Sequence, residues 1–195
     1  IDPTMRRSGH LLKDMFLRAH SEGFINPISP LIRRECFATY PFYEGVFAEG
    51  ETIFLRFAVS YKFHFLDEPL SVMREHESNV GKAIKVNVAM ALTLFDKLLS
   101  EPAFPKDLIP DSNTYLSNFL GICGWLGIRM AADPAWARGC LFGSIRRQPK
   151  QLLRPRIVAG LALSMLPASG VRLFNRAMSA MRSHKETVAF RAEWN

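Results

Sequence analysis

The sequence has few cysteines, and the three that it has are widely separated. Cys36, Cys123 and Cys140 form no Cys-x-x-Cys pair, and their number is odd. This usage argues against a disulfide framework and against a zinc site, and it favours a reducing, cytosolic compartment. Each cysteine has apolar neighbours, so we expect small buried side chains rather than reactive thiols.

The chain also lacks the features of a nucleotide-binding α/β unit. It has no Asp-x-Asp triplet, no glycine-rich loop between a strand and a helix, and no run of apolar parallel strands. Long apolar runs are missing too. The stretch that contains Gly121, Gly124 and Gly127 is interrupted upstream by the polar Ser117 and Asn118 and ends at Arg129, well short of the roughly 20 apolar residues that a membrane span needs. We therefore predict a packed helical core there, in which the glycines permit close helix approach.

Acidic residues are scarce in the last third of the chain. Residues 1–128 carry 13 Lys plus Arg and 15 Asp plus Glu, a net of −2, whereas residues 129–195 carry 12 and 3, a net of +9. A basic surface of this kind suits anionic lipid or an acidic protein. Nucleic acid is not expected, because no aromatic platform or known motif accompanies the charge. The predicted membrane or partner surface consists of Arg146, Arg147, Lys150, Arg154 and Arg156; the alternative is a solvated basic face over an ordinary core.

Apolar periodicity predicts a mostly helical chain. Helices are expected over residues 9–22, 33–38, 49–61, 80–100 and 112–132, with another starting at Asp133-Pro134. Short strands are expected at 31–32, 62–64 and 69–73. The predicted fold class is α+β and predominantly α-helical, with a short N-terminal strand and helix segment followed by a helical bundle. We divide the chain into residues 1–4, a remnant of an expression vector, residues 5–80, and a helical region with a basic tail, 81–195.

Two neighbouring stretches carry a recognisable pattern. The first, Glu49-Gly50-Glu51, opens a helix that runs to Arg56, and the second is Asp67-Glu-Pro-Leu70 followed by Arg74-Glu75-His76. This order and spacing resembles the C-terminal half of family-2-like glycosyltransferases, which are inverting enzymes of the GT-A fold. In that family an acidic pair opens a helix that reaches an Arg, and Asp-x-Pro-Leu leads to Arg-x-His. The resemblance covers about residues 11–88, and Gly50 stands where the family has its catalytic Asp.

The resemblance implies roles for four residues. Inverting sugar transfer needs a carboxylate that removes the proton of the acceptor hydroxyl. Since Gly50 cannot do this, Glu51 is the first candidate for the base and Glu49 the second. Arg74 and His76 are expected to donate hydrogen bonds to the donor diphosphate. The alternatives are two first-turn acids, each stabilising a helix N-terminus by about 0.3–1 kcal/mol, and an edge-strand Arg beside a solvated His.

The implied function is that of the C-terminal portion of a glycosyltransferase, which moves a sugar from a nucleotide sugar to a cell-envelope glycan or lipid-linked acceptor. The resemblance implies Mg²⁺ or Mn²⁺ in the complete enzyme and no cofactor in this chain. The chain alone is expected to be inactive, because the donor-binding half is missing from it. We expect a cytoplasmic location, at the inner face of the cytoplasmic membrane, and a homodimer formed through unpaired strand edges. Gly50 keeps an alternative open, a non-catalytic helical module that docks on a membrane surface or a partner protein.

Overall fold

A computed structural model describes residues 8–22, 30–44, 52–66, 68 and 84–193. In these ranges the protein is predominantly α-helical, as the periodicity predicts. Short one-turn helices connect some of the longer ones: 3₁₀ turns at Lys106–Leu108 and Pro149–Leu153, and a π-helical turn at Gly127–Ala131. The α-helices of the described ranges are α1 Leu12–Glu22, α2 Arg34–Thr39, α3 Thr52–Ser60, α4 Ile84–Ser100, α5 Ser112–Leu126, α6 Pro134–Arg147, α7 Pro155–Ser164 and α8 Ala168–Glu193.

The predicted strands are the part of the fold that differs most from the expectation. Residues 31–32 form neither helix nor strand. The expected strand at 62–64 is reduced to a single antiparallel bridge, in which Gly9 and Phe63 exchange backbone hydrogen bonds of 2.7 and 2.8 Å. This bridge also explains why α1 begins at Leu12 rather than at residue 9, since Gly9 has a φ of 128° that no helix accommodates. The expected strand at 69–73 lies outside the described residues. The homodimer that we expect from unpaired strand edges therefore stays a prediction.

The chain divides into two compact units, Ile1–Phe119 and Leu120–Asn195. This division reflects the packing of the chain. The boundary that we predict after residue 80, between the glycosyltransferase-like segment and the helical region, stays a prediction. The proposed vector remnant lies outside the described residues. Among the helices of the described ranges, none combines the length and the apolar composition that a transmembrane span requires.

An aromatic stack forms the centre of the first unit. The ring of Phe16 in α1 lies parallel to Phe95 of α4 and to Tyr115 of α5, with ring centroids 5.7 and 5.0 Å apart. Phe95 and Tyr115 stack on each other at 4.7 Å. Offset stacking of this kind favours aromatic pairs beyond the area that they bury. Helix α3 adds its own buried apolar side chains to this core: Ile53, Phe54, Leu55 and Phe57.

Glycines set the packing of the second unit. A Cβ atom on Gly124 would lie 2.6 Å from Leu141 Cγ, and one on Gly127 would lie 2.8 Å from the Trp136 ring. Side chains of α6 therefore occupy the space that any larger residue in this strip would need. The prediction of a packed helical core with a glycine strip is confirmed.

A sharp reversal separates the glycine strip from α6. The π-helical turn ends at Ala131, and the residue that follows it, Ala132, adopts the left-handed conformation with a φ of 46°. Asp133 then caps α6, since its carboxylate accepts the Trp136 N–H at 3.0 Å, and Pro134 is the first helical residue. The Asp-Pro start that the sequence predicts is confirmed, and the preceding helix ends in a π turn rather than continuing as α-helix to residue 132.

Candidate functional site

The residues predicted to perform and assist sugar transfer lie outside the described part of the chain. These are Glu49 and Glu51, the base candidates, and Arg74 and His76, the diphosphate ligands. Gly50 lies outside it as well. Their roles therefore stay predictions, and the structure bears on them only through the elements that border them.

Helix α3 borders the predicted base directly. It begins at Thr52, the residue after Glu51, and extends past Arg56. Every residue from Thr52 to Ala58 is buried, so the helix that the sequence pattern requires between the acidic residues and the Arg is an interior element of the first unit.

Arg56 is the buried charge of this helix, with only 4 % of its side chain exposed. Its Nε donates a hydrogen bond to Glu101 Oε1 at 2.9 Å, and its Nη1 donates one to the Pro41 carbonyl oxygen at 2.7 Å. The guanidinium carbon lies 3.9 Å from the centroid of the Tyr43 ring and 5.6 Å from that of Tyr40. Charge-assisted hydrogen bonds and ring contacts together compensate for the loss of water around a buried guanidinium.

Glu101 completes this cluster from the residue that follows α4. Its Oε1 also accepts the Tyr43 hydroxyl at 2.8 Å, so one carboxylate oxygen joins the tyrosine and Arg56. The cluster connects three separate parts of the first unit: α3, the end of α4, and the segment 40–43. Sequence reasoning identified Arg56 but missed Glu101, for which the only signal was a charged residue at a helix end.

The predicted membrane or partner surface is described in full, and we call it the basic surface: Arg146, Arg147, Lys150, Arg154 and Arg156. All five side chains are exposed. They follow one another through the end of α6, the 3₁₀ turn Pro149–Leu153 and the start of α7. Residues 134–185 contain ten Lys or Arg and no Asp or Glu, so no carboxylate of this segment offsets their charge.

Exposed apolar side chains interrupt the basic surface. Leu153 is 84 % exposed and Leu152 48 %, while Phe142 and Val158 are 56 % and 50 % exposed. Phe142 and the Arg146 and Arg147 side chains line a shallow groove along α6. Large apolar side chains next to cations make this surface amphipathic rather than uniformly polar.

The cysteines of the described ranges are interior side chains. Cys36, Cys123 and Cys140 are buried, and burial raises the pKa of the Cys140 thiol to about 11. The described residues contain no cluster of His, Cys, Asp or Glu side chains that could hold a metal ion. The part of the chain that the structure describes thus does not fit a metal centre.

Comparison of the chain with protein-family models, curated proteins and solved structures finds no match in any of the three. The resemblance to glycosyltransferases therefore depends on the residues of the motif pattern themselves.

Proposed function

We propose that the chain is the acceptor-side, C-terminal portion of an inverting glycosyltransferase, which transfers a sugar from a nucleotide sugar to a cell-envelope glycan or lipid-linked acceptor. The observation that carries the proposal is the run from Glu49 to His76, whose spacing follows the family pattern and whose residue types follow it except at Gly50, where the family has its catalytic Asp. Helix α3 supports it, because a helix lies where the pattern requires one and its Arg is buried and hydrogen-bonded.

In the proposed reaction Glu51 accepts the proton of the acceptor hydroxyl while the hydroxyl oxygen attacks the anomeric carbon. The bond from that carbon to the diphosphate breaks, and the nucleoside diphosphate leaves with the electron pair. Arg74 and His76 stabilise the charge that develops on the leaving oxygen. Glu49 is the alternative base, or it positions the acceptor. Any metal that assists departure belongs to the donor-binding half.

The proposal predicts the size and the activity of the native protein. An antibody raised against this chain should detect, in the source cells, a polypeptide that exceeds 22.1 kDa by roughly one hundred residues, the size of a nucleotide-binding unit. That polypeptide should transfer labelled sugar from a nucleotide sugar to a glycan or lipid extract, whereas the 195-residue chain should not. A native band at 22.1 kDa without transfer activity would contradict the proposal.

The basic surface favours a second candidate, a module that docks on an anionic membrane surface or an acidic partner at the cytoplasmic face. The supporting observation is that five exposed cations follow one another with no carboxylate nearby in the chain. The chain should co-sediment with vesicles that contain phosphatidylglycerol and not with phosphatidylcholine vesicles. Arg146→Glu with Arg147→Glu should abolish this, and equal recovery with both vesicle types would remove the candidate.

A further inference from the structure

We propose that the 3₁₀ turn Pro149–Leu153 inserts Leu152 and Leu153 into the interface of an anionic bilayer, while the surrounding basic surface contacts the lipid phosphates. The proposal deepens the docking candidate and depends on it. It does not depend on sugar transfer. The test of insertion can fail while the docking candidate or the glycosyltransferase proposal remains valid.

The first argument is an inversion of the usual burial pattern within a single turn. Gln151 is 1 % exposed, whereas the two leucines that follow it are 48 % and 84 % exposed. An exposed apolar pair beside a buried amide is the reverse of the ordinary arrangement, in which leucine is buried and glutamine is solvated. Folding of this unit therefore directs the polar side chain inward and presents the apolar ones to the surroundings.

The second argument is that hydrogen bonds hold the turn in this orientation. The Gln151 amide Nε2 donates to Gln148 Oε1 at 3.2 Å, and the Gln151 backbone N–H donates to the Gln148 carbonyl at 3.0 Å. The Arg154 N–H in turn donates to the Gln151 carbonyl at 3.0 Å. Pro149 and Pro155 stand at the first positions of the 3₁₀ turn and of α7, and each fixes its own φ. The backbone that carries the leucines thus needs little ordering on binding.

The third argument is the charge around the leucines. Lys150 precedes them in the same turn, Arg154 and Arg156 follow, and Arg146 and Arg147 end the preceding helix. A bilayer of anionic lipid offers phosphates at the surface and hydrocarbon directly beneath, which matches an exposed apolar pair flanked in the chain by exposed cations. An acidic protein would need an apolar pocket within its acidic patch, so the bilayer is the occupant that we assign.

The experiment combines flotation with a probe at the turn. Vesicles of equimolar phosphatidylcholine and phosphatidylglycerol, or of phosphatidylcholine alone, are floated with the 195-residue chain. The test variant is Leu152→Ser with Leu153→Ser. The matched control is Met165→Ser, which removes an apolar side chain that is 74 % exposed beyond the far end of α7. That helix has ten residues, so its ends lie about 15 Å apart. Circular dichroism checks that both variants are folded.

We expect the chain to float with the anionic vesicles only, and the leucine variant to bind at least about tenfold more weakly. The Met165→Ser variant should bind as the parent does. A fluorophore attached to Leu153→Cys should shift its emission to the blue when the anionic vesicles are added, since the three native thiols are buried and leave the new one as the site of labelling. The same fluorophore at Met165→Cys should not shift.

Three results would overturn the proposal. If the leucine variant binds as tightly as the parent while Arg146→Glu with Arg147→Glu abolishes binding, the contact is purely electrostatic and no insertion occurs, although docking stands. If Met165→Ser weakens binding as much as the leucine variant does, insertion is not located at the turn. Failure of the parent chain to float with anionic vesicles would remove both the insertion and the docking candidate, without bearing on sugar transfer.

Discussion

Removal of the buried guanidinium of Arg56 should destabilise the first unit strongly. The Arg56→Ala variant loses hydrogen bonds to Glu101 and to the Pro41 carbonyl, together with the contact over the Tyr43 ring. It also leaves the Glu101 carboxylate, which is 19 % exposed, without its cationic partner. Breaking a buried ion pair from one side costs about 3–5 kcal/mol. Since Glu101 keeps some contact with water, we expect a loss near the lower limit, about 3 kcal/mol.

Arg33 offers a matched control on the surface of the same unit. Its Nη1 lies 3.5 Å from Glu35 Oε1, but the two side chains are 85 % and 63 % exposed. Exposed ion pairs of this kind contribute about 0–1 kcal/mol, so Arg33→Ala should change the free energy of unfolding by no more than about 0.5 kcal/mol. The comparison separates burial from charge, because each variant removes one guanidinium that faces a carboxylate.

The free energy of unfolding can be measured by urea titration, with near-ultraviolet circular dichroism following the aromatic core of the first unit. Glu101→Gln should lie between the two Arg variants, at about 1 kcal/mol, because an amide can still accept from Arg56 while the charge assistance is lost. Equal losses for Arg56→Ala and Arg33→Ala would refute the reasoning, since they would mean that the buried cluster adds nothing beyond a solvated pair.

Three further predictions concern the second unit. Gly124→Ala should lower the free energy of unfolding by about 1–3 kcal/mol, because its Cβ would lie 2.6 Å from Leu141 Cγ. Gly139→Ala should raise the free energy of unfolding by up to about 1 kcal/mol, because no atom lies within 4 Å of its Cβ. Thermal unfolding compares the two variants. The Cys140 thiol, with its pKa raised to about 11 by burial, should resist a disulfide reagent at pH 8 in the folded protein. Because the folded protein holds the thiol proton more tightly, protonation of that thiol favours folding, and this contribution should be lost as the pH rises from about 9 to about 11. Asp133→Ala should lower the free energy of unfolding by about 1 kcal/mol because it removes the cap of α6. Asp133→Asn should retain most of the stability that the cap contributes.

Each of these predictions has an outcome that contradicts it. Equal stability of the two alanine variants would mean that the glycine strip is not closely packed. Rapid modification of Cys140 at pH 8 would mean that the thiol is accessible. Equal loss in Asp133→Ala and Asp133→Asn would mean that the carboxylate charge, and not the cap, stabilises the helix.

The helices were predictable because apolar periodicity and local stop and start signals determine them. Asp133-Pro134 is one such signal, and it places the start of α6 correctly. The strands were not predictable, because a strand needs a partner that local sequence does not name. Leu31 and Ile32 form an apolar pair typical of a strand, yet Leu31 is 96 % exposed and the pair has no regular structure.

The residues of the predicted transfer site lie outside the described residues, so the comparison concerns the basic surface and the Arg56 cluster. Exposure of the basic surface followed from its charge, since cations without carboxylates nearby are seldom buried. The partner of Arg56 could not be predicted, because Glu101 lies 45 residues along the chain and periodicity carries no information about such pairs. The inward Gln151 and outward Leu153 were likewise beyond sequence reasoning, since the packing of the 3₁₀ turn against α6 and α7 decides which of its side chains are buried.

The most direct test of the central claim is sugar transfer by the native polypeptide that contains this chain, measured with Glu51→Gln and with a control. Glu35→Gln serves as the control, because that side chain is 63 % exposed and lies outside the motif pattern. The account predicts transfer from a nucleotide sugar to a glycan or lipid-linked acceptor, reduced by about 10²–10⁴-fold in Glu51→Gln and unchanged in Glu35→Gln. Full activity in Glu51→Gln and also in Glu49→Gln, or no transfer by the native polypeptide, would contradict it.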